Sequence, residues 1–131
     1  SPVGAGASLT VMLDNRIGGS LRLKDYTFYV DGKVVAAKTN LKGSDTQAGV
    51  SKLFTIPIED GEHKVSAVLV YRGHGYKVFT YVDKYRYQVK HAMKFTVRAG
   101  KRVKIKALVW TKEGSDTAKR KDRIQFRFEP F

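Results

Sequence analysis

Seven lysines and arginines in the last third of the sequence alternate with apolar residues, a pattern that would gather positive charge on one side of a strand. Lys94 and Arg98 alternate with Met93, Phe95 and Val97. Arg102, Lys104 and Lys106 alternate with Val103, Ile105 and Ala107, and Arg123 and Arg127 alternate with Ile124, Phe126 and Phe128. Side chains change sides at every residue of a strand, so each segment reads as a strand with one apolar and one basic face. If the three strands lie in one sheet, all seven cations project from its outer face. Such a face would bind phosphates, acidic sugars or carboxylates. The competing reading is a solvated face that keeps the sheet soluble and discourages edge pairing. Like charges abreast on neighbouring strands repel mildly, and accepting that cost favours a functional reading.

A second candidate is the aromatic stretch of Tyr76, Phe79, Tyr81, Tyr85 and Tyr87, interleaved with Lys77, Lys84, Arg86 and Lys90. Aromatic planes beside cations can stack on bases or sugar rings while neutralising charge. Tyrosine also packs well in strands and anchors protein interfaces. Trp110 shares its parity with Arg102, Lys104 and Lys106, which places it at the edge of the basic face.

Catalytic and metal chemistry find little support. His63, His74 and His91 share no ligand spacing, and the chain has no cysteine to complete a zinc set. A nucleophile needs an adjacent base and an oxyanion donor, and no Gly-x-Ser-x-Gly elbow is present. Most carboxylates fall at turns, where local hydrogen bonding explains them. Gly18-Gly19 and Gly73-His74-Gly75 lack the spacing of a phosphate loop. No enzyme activity and no cofactor are expected.

The net charge of +13 on 131 residues bounds the partners. It grows along the chain, from +2 over residues 1–50 to +6 over residues 101–131. A small domain so charged attracts anions over a distance. No apolar run approaches the roughly 18 residues of a membrane span. Without cysteine there are no disulfides, which leaves the compartment open. Residues 1–8 are small and read as a flexible segment, leaving one domain over residues 9–131.

The elements that must carry these residues are short and β-rich. Leu9–Leu13, Leu21–Val30, Lys33–Ala37, Lys52–Ile58 and His63–Arg72 read as strands, followed by the aromatic stretch and the three basic strands. Asp31-Gly32 supplies a two-residue hairpin turn. Val68 and Val70, opposite Val65, Ala67, Leu69 and Tyr71, make His63–Arg72 a central strand. Residues 39–51 and 113–122 read as polar loops, the first of them mobile. No helix-length segment has a 3.6-residue apolar period. The pattern is an all-β, antiparallel sandwich of about eight strands.

Two stretches carry a resemblance. Pro57-Ile58-Glu59-Asp60-Gly61-Glu62-His63-Lys64-Val65 and Phe95-Thr96-Val97-Arg98-Ala99-Gly100-Lys101-Arg102-Val103-Lys104-Ile105 resemble turn-plus-strand units of PEGA-type, transthyretin-like or immunoglobulin-like accessory domains of bacterial envelope proteins. The Asp31-Gly32-Lys33-Val34 turn is similar. The resemblance covers about half the chain, and the Pro-Glu-Gly-Ala signature is missing. It implies a non-catalytic module outside the cytoplasm, periplasmic or extracellular. The expected partner is a protein or an anionic polymer (acidic polysaccharide or phospholipid head groups), held by the basic face and aromatic stretch. The alternative is a cytoplasmic nucleic-acid-binding domain using the same surface, although no RNA-recognition, KH, helix-turn-helix or zinc-finger signature appears.

Overall fold

A computed structural model of the chain describes residues 6–18, 21–73, 86–111 and 124–131. The strands in chain order are β1 (Ser8–Asn15), β2 (Leu21–Val30), β3 (Lys33–Lys38), β4 (Gly49–Pro57), β5 (Gly61–Gly73), β6 (Arg86–Val97), β7 (Arg102–Thr111) and β8 (Ile124–Pro130). They form two four-stranded sheets, ordered β4-β1-β7-β8 and β3-β2-β5-β6. The expected all-β sandwich of eight strands is the observed architecture. One pair departs from the antiparallel rule: β1 and β7 run parallel from Ser8↔Arg102 to Asn15↔Val109.

Alternation builds the core. Leu9, Val11 and Leu13 of β1 face Phe28 of β2 and Val65, Ala67 and Leu69 of β5, all buried. Phe28 sits at the centre, with edge-on rings from Phe54 of β4 at 6.0 Å and Phe128 of β8 at 6.3 Å. Along the β6–β8 edge, His91 lies 5.8 Å from both Phe126 and Phe128. His91 therefore sits within β6 and faces inward.

One polar group bridges the sheets. The Tyr71 hydroxyl of β5 donates to Asn15 Oδ1 of β1 at 2.8 Å, and the Ile17 amide donates to the same oxygen at 3.2 Å. Asn15 Nδ2 donates to the Gln47 carbonyl at 3.2 Å. Burial removes water from both side chains (2 % exposed for Asn15, none for Tyr71), so each polar atom needs its protein partner. Burial also pushes the Tyr71 hydroxyl far above its ordinary range, leaving it a neutral donor.

Several boundaries moved. β1 starts at Ser8 with Ala7 buried ahead of it, inside the stretch expected to be flexible. The stretch 39–51 holds a 3-10 turn at Gly43–Thr46 and the start of β4, with Leu41 and Thr46 buried. β5 lies between β2 and β6, as its two apolar faces implied. The Asp31-Gly32 turn has positive φ at both residues, 52° and 82°, the geometry a two-residue hairpin requires.

The basic strands need a correction. They do not share a sheet: β6 belongs to the second sheet, whereas β7 and β8 belong to the first. The Ala99-Gly100-Lys101 turn, closed by the Lys101 amide donating to the Arg98 carbonyl at 3.0 Å, carries the chain across the sandwich instead of folding it back within one sheet. Alternation fixes which side of a strand faces the core; it does not say which sheet the strand joins.

Two substitutions test this account. Replacing Tyr71 with Phe should cost about 0.5–1.5 kcal/mol, the net range for an intramolecular hydrogen bond, read as a lower urea midpoint. An unchanged midpoint would remove the inter-sheet bond from the list of stabilising contacts. Gly61 has φ +112° with open space where a side chain would stand, so Gly61→Val should lower the melting temperature through backbone strain alone, and an equal melting temperature would contradict that conformation.

Candidate functional site

The seven expected cations separate into groups. Arg102, Lys104, Lys106 and Arg127 share the outer face of the first sheet. Lys94 lies on the outer face of the second sheet, Arg98 lies in the turn after β6, and Arg123 is outside the described residues. Tyr76, Phe79, Tyr81, Tyr85 and the loop expected at 113–122 are also outside them. Tyr87 faces inward and packs against the core, the strand-packing role weighed for these tyrosines beside an interface one.

On the first sheet the cations are partly neutralised. Arg127 Nη2 lies 2.7 Å from Glu129 Oε2, and its guanidinium sits 5.2 Å over the ring of half-buried Trp110. Lys106 Nζ lies 3.9 Å from Asp14 Oδ2 and 4.0 Å from Glu129 Oε1, and Arg16 pairs with Asp14 at 3.0 Å. The chain Arg16, Asp14, Lys106, Glu129, Arg127 thus alternates in sign across three strands. Arg102 and Lys104 stay exposed, with no ion pair among the described residues.

The second sheet holds cations that the sequence reading missed. β2, β5 and β6 pair so that Arg22, Arg72 and Arg86 are consecutive partners in one rung. Eight residues along the same register, Lys64 stands opposite Lys94. The neighbours of these residues in each strand (Leu21, Leu23, Tyr71, Val65, Met93) pack into the core, so the cations face outward. Lys90 lies between the two rungs on the same side of β6. Arg22 is held against its own strand by Nη1 donating to the Leu21 carbonyl at 3.0 Å.

A β-bulge makes that rung possible. Tyr26, Phe28 and Val30 point inward, so strict alternation would send Lys24 and Arg22 inward too. The register instead shifts between Leu23 and Asp25, leaving Lys24 without a β5 partner. Leu21 and Leu23 turn into the core (8 % and 1 % exposed) and Arg22 turns out. Leu41 anchors the bulge: its amide donates to the Lys24 carbonyl at 2.9 Å, and Lys24 Nζ donates to the Leu41 carbonyl at 3.4 Å.

Other chemistry is limited. A cavity of about 350 Å³ opens between β4 and the 3-10 turn, lined in part by Leu13, Leu23, Tyr26, Leu41, Asp45 and Leu53. Burial, and then the Asp45 charge, pushes the Tyr26 hydroxyl up. Among the described residues no three His, Cys, Asp or Glu side chains are placed to hold a metal ion, and no helix is long and apolar enough to cross a membrane. Comparison of the chain with protein-family models, with curated proteins and with solved structures returned no match.

His63 clamps the Asp31 turn. Its Nε2 faces the Glu59 carbonyl at 2.7 Å and its Nδ1 faces Asp31 Oδ2 at 2.5 Å. A carbonyl and a carboxylate only accept, so the ring satisfies both when it carries two protons. Burial alone would lower the His63 pKa, but the bonds to Asp31 and Glu59 together with their charges outweigh it, and the value rises above 6.5. The His63 hydrogen bond, then that of the Lys64 amide, hold Asp31 below its ordinary 3.8. The His63 contribution is present below pH 6.5 and is lost as pH climbs through the raised value; the Asp31 contribution is present above pH 3.8 and is lost as pH falls through the lowered one. The pair should stabilise most between those limits. His63→Gln should flatten the fall in melting temperature above pH 6.5, and identical pH profiles for the two proteins would refute the clamp.

Proposed function

We propose that this domain is a non-catalytic binding module of a bacterial cell envelope, docking an anionic polymer or acidic protein partner on its cationic faces. The observation that carries the reading is the alignment of like charges: Arg22, Arg72 and Arg86 in one rung, and Lys64 opposite Lys94 in another. Like charges directly opposed on neighbouring strands cost stability, and an anion laid across them removes that cost. On the first sheet Trp110, Lys104 and Arg102 offer a smaller cationic surface with an aromatic plane.

Two further points support the reading. The turn-plus-strand stretches resemble PEGA-type and transthyretin-like accessory domains, and two packed four-stranded sheets suit such a module. The net charge of +13 would draw the domain to acidic polymers before any contact forms.

The test is binding of an acidic polysaccharide or an acidic protein surface, followed by anisotropy at several salt concentrations. Affinity should fall at least about tenfold between roughly 50 and 200 mM salt, since each neutralising lysine or arginine releases counterions. Lys64→Gln with Lys94→Gln should weaken binding without lowering the melting temperature. Salt-independent binding, or full binding by that double variant and by Arg102→Gln with Lys104→Gln, would leave the charge as a solubility device.

A further inference from the structure

The inward side of β4 is not filled along its whole length. Opposite Leu13 and Asn15 of β1 stand Ser51 and Gly49. Directly opposed residues share a side of the sheet, and Leu13 and Asn15 are buried. Two inward positions of β4 therefore carry almost no side chain. The cavity of about 350 Å³ beside the 3-10 turn opens at this place. Leu13, Leu23, Leu41 and Leu53 give it an apolar lining. Its wall is tied down by three bonds. The Asn40 amide donates to Asp25 Oδ1 at 2.9 Å, the Leu41 amide to the Lys24 carbonyl at 2.9 Å, and Asn15 Nδ2 to the Gln47 carbonyl at 3.2 Å.

Polar side chains interrupt the lining at one point. Tyr26 lines the cavity, is 7 % exposed, and its hydroxyl has no hydrogen-bond partner among the described residues. No buried side-chain oxygen or nitrogen among those residues is sealed off without a partner, so the hydroxyl opens into the cavity. Burial first, and then the Asp45 charge, keep it protonated and able to donate. Lys38 is the cross-strand partner of Tyr26, which roots it on the same side of the second sheet, and it is exposed at the mouth. Asp45 lines the cavity from the 3-10 turn. Among the described residues neither Lys38 nor Asp45 has an ion pair. A cation and an anion thus stand unpaired around one phenol donor.

Those three groups define a ligand. A carboxylate accepts from a phenol and from an ammonium together, and an ammonium donates to a carboxylate. The space holds about twelve water-sized volumes of roughly 30 Å³ each, room for about a dozen non-hydrogen atoms. A simple acid would leave Asp45 without a partner, and a simple amine would leave Lys38 and Tyr26 without one. We infer that the cavity between β4 and the 3-10 turn binds a free α-amino acid with a large apolar side chain, its carboxylate held by Tyr26 and Lys38, its ammonium by Asp45 and its side chain by the leucines. The site lies between the sheets, apart from the cationic outer faces, and is independent of the docking function.

The experiment titrates the protein with phenylalanine, with 3-phenylpropionate, which lacks the ammonium, and with phenethylamine, which lacks the carboxylate. Binding is followed through the backbone amide shifts of Gln47, Gly49 and Ser51. Phenylalanine should move these amides and bind at least about tenfold tighter than either analogue, the cost of one lost bond to a charged group. Asp45→Asn should bring phenylalanine down to the level of 3-phenylpropionate, and Lys38→Gln to the level of phenethylamine. Both positions are exposed. Should either variant melt early, Ser51→Leu fills the cavity from β4 and should abolish binding of all three compounds. Equal binding of an analogue would overturn the amino-acid assignment. Unchanged phenylalanine binding by the variants, or shifts confined to other parts of the domain, would overturn the site. No binding of phenylalanine up to its solubility would overturn the inference and leave the docking function untouched.

Discussion

Twelve residue pairs, from Gly61↔Val97 to Arg72↔Arg86, set the register of β5 on β6, and most of what matters in this domain depends on that alignment. Because side chains alternate, a slip of one residue would move every inward group of one strand to the outside. The register that buries Val65, Ala67, Leu69 and Tyr71 is the one that sets Lys64 opposite Lys94 and Arg72 opposite Arg86. Core formation thus enforces a charge alignment that electrostatics alone would oppose. Tyr71 extends the constraint to the other sheet, because its hydroxyl reaches Asn15 only from this position.

The two outer faces handle their charge differently. On the first sheet, Asp14 and Glu129 are interleaved with Arg16, Lys106 and Arg127. Exposed ion pairs of this kind add little stability, but they do lower the cationic field that the face presents. On the second sheet, like charges share rungs. The difference between the faces lies in the placement of a few carboxylates as much as in the number of cations.

Much of the fold was legible because period-2 alternation is a strong local signal. β2 runs from Leu21 to Val30 as the sequence indicates, and Asp31-Gly32 turns where its residue types require. Sheet membership was not legible: a three-residue turn such as Ala99-Gly100-Lys101 can fold back in one sheet or cross to the other. The parallel β1–β7 pairing is equally non-local. The arginine rung was hidden for the same reason, since Arg22 and Arg86 are far apart in the chain and meet only through β5. Even the parity of Arg22 depends on a bulge that Leu41 holds from a distant loop. Asn15 lies just past the stretch read as the first strand, and nothing local marks it as the partner of a buried tyrosine.

The bulge at Lys24 has a consequence for how this stretch can vary over time. It acts as a phase shift between the two halves of β2. Removing or adding one residue there would place a guanidinium between the sheets and put Leu21 and Leu23 in water. Replacing a side chain can retune the outer face one position at a time, whereas a change of length exchanges outer face and interior together. The start of β2 is therefore open to changes of residue type and closed to insertion and deletion.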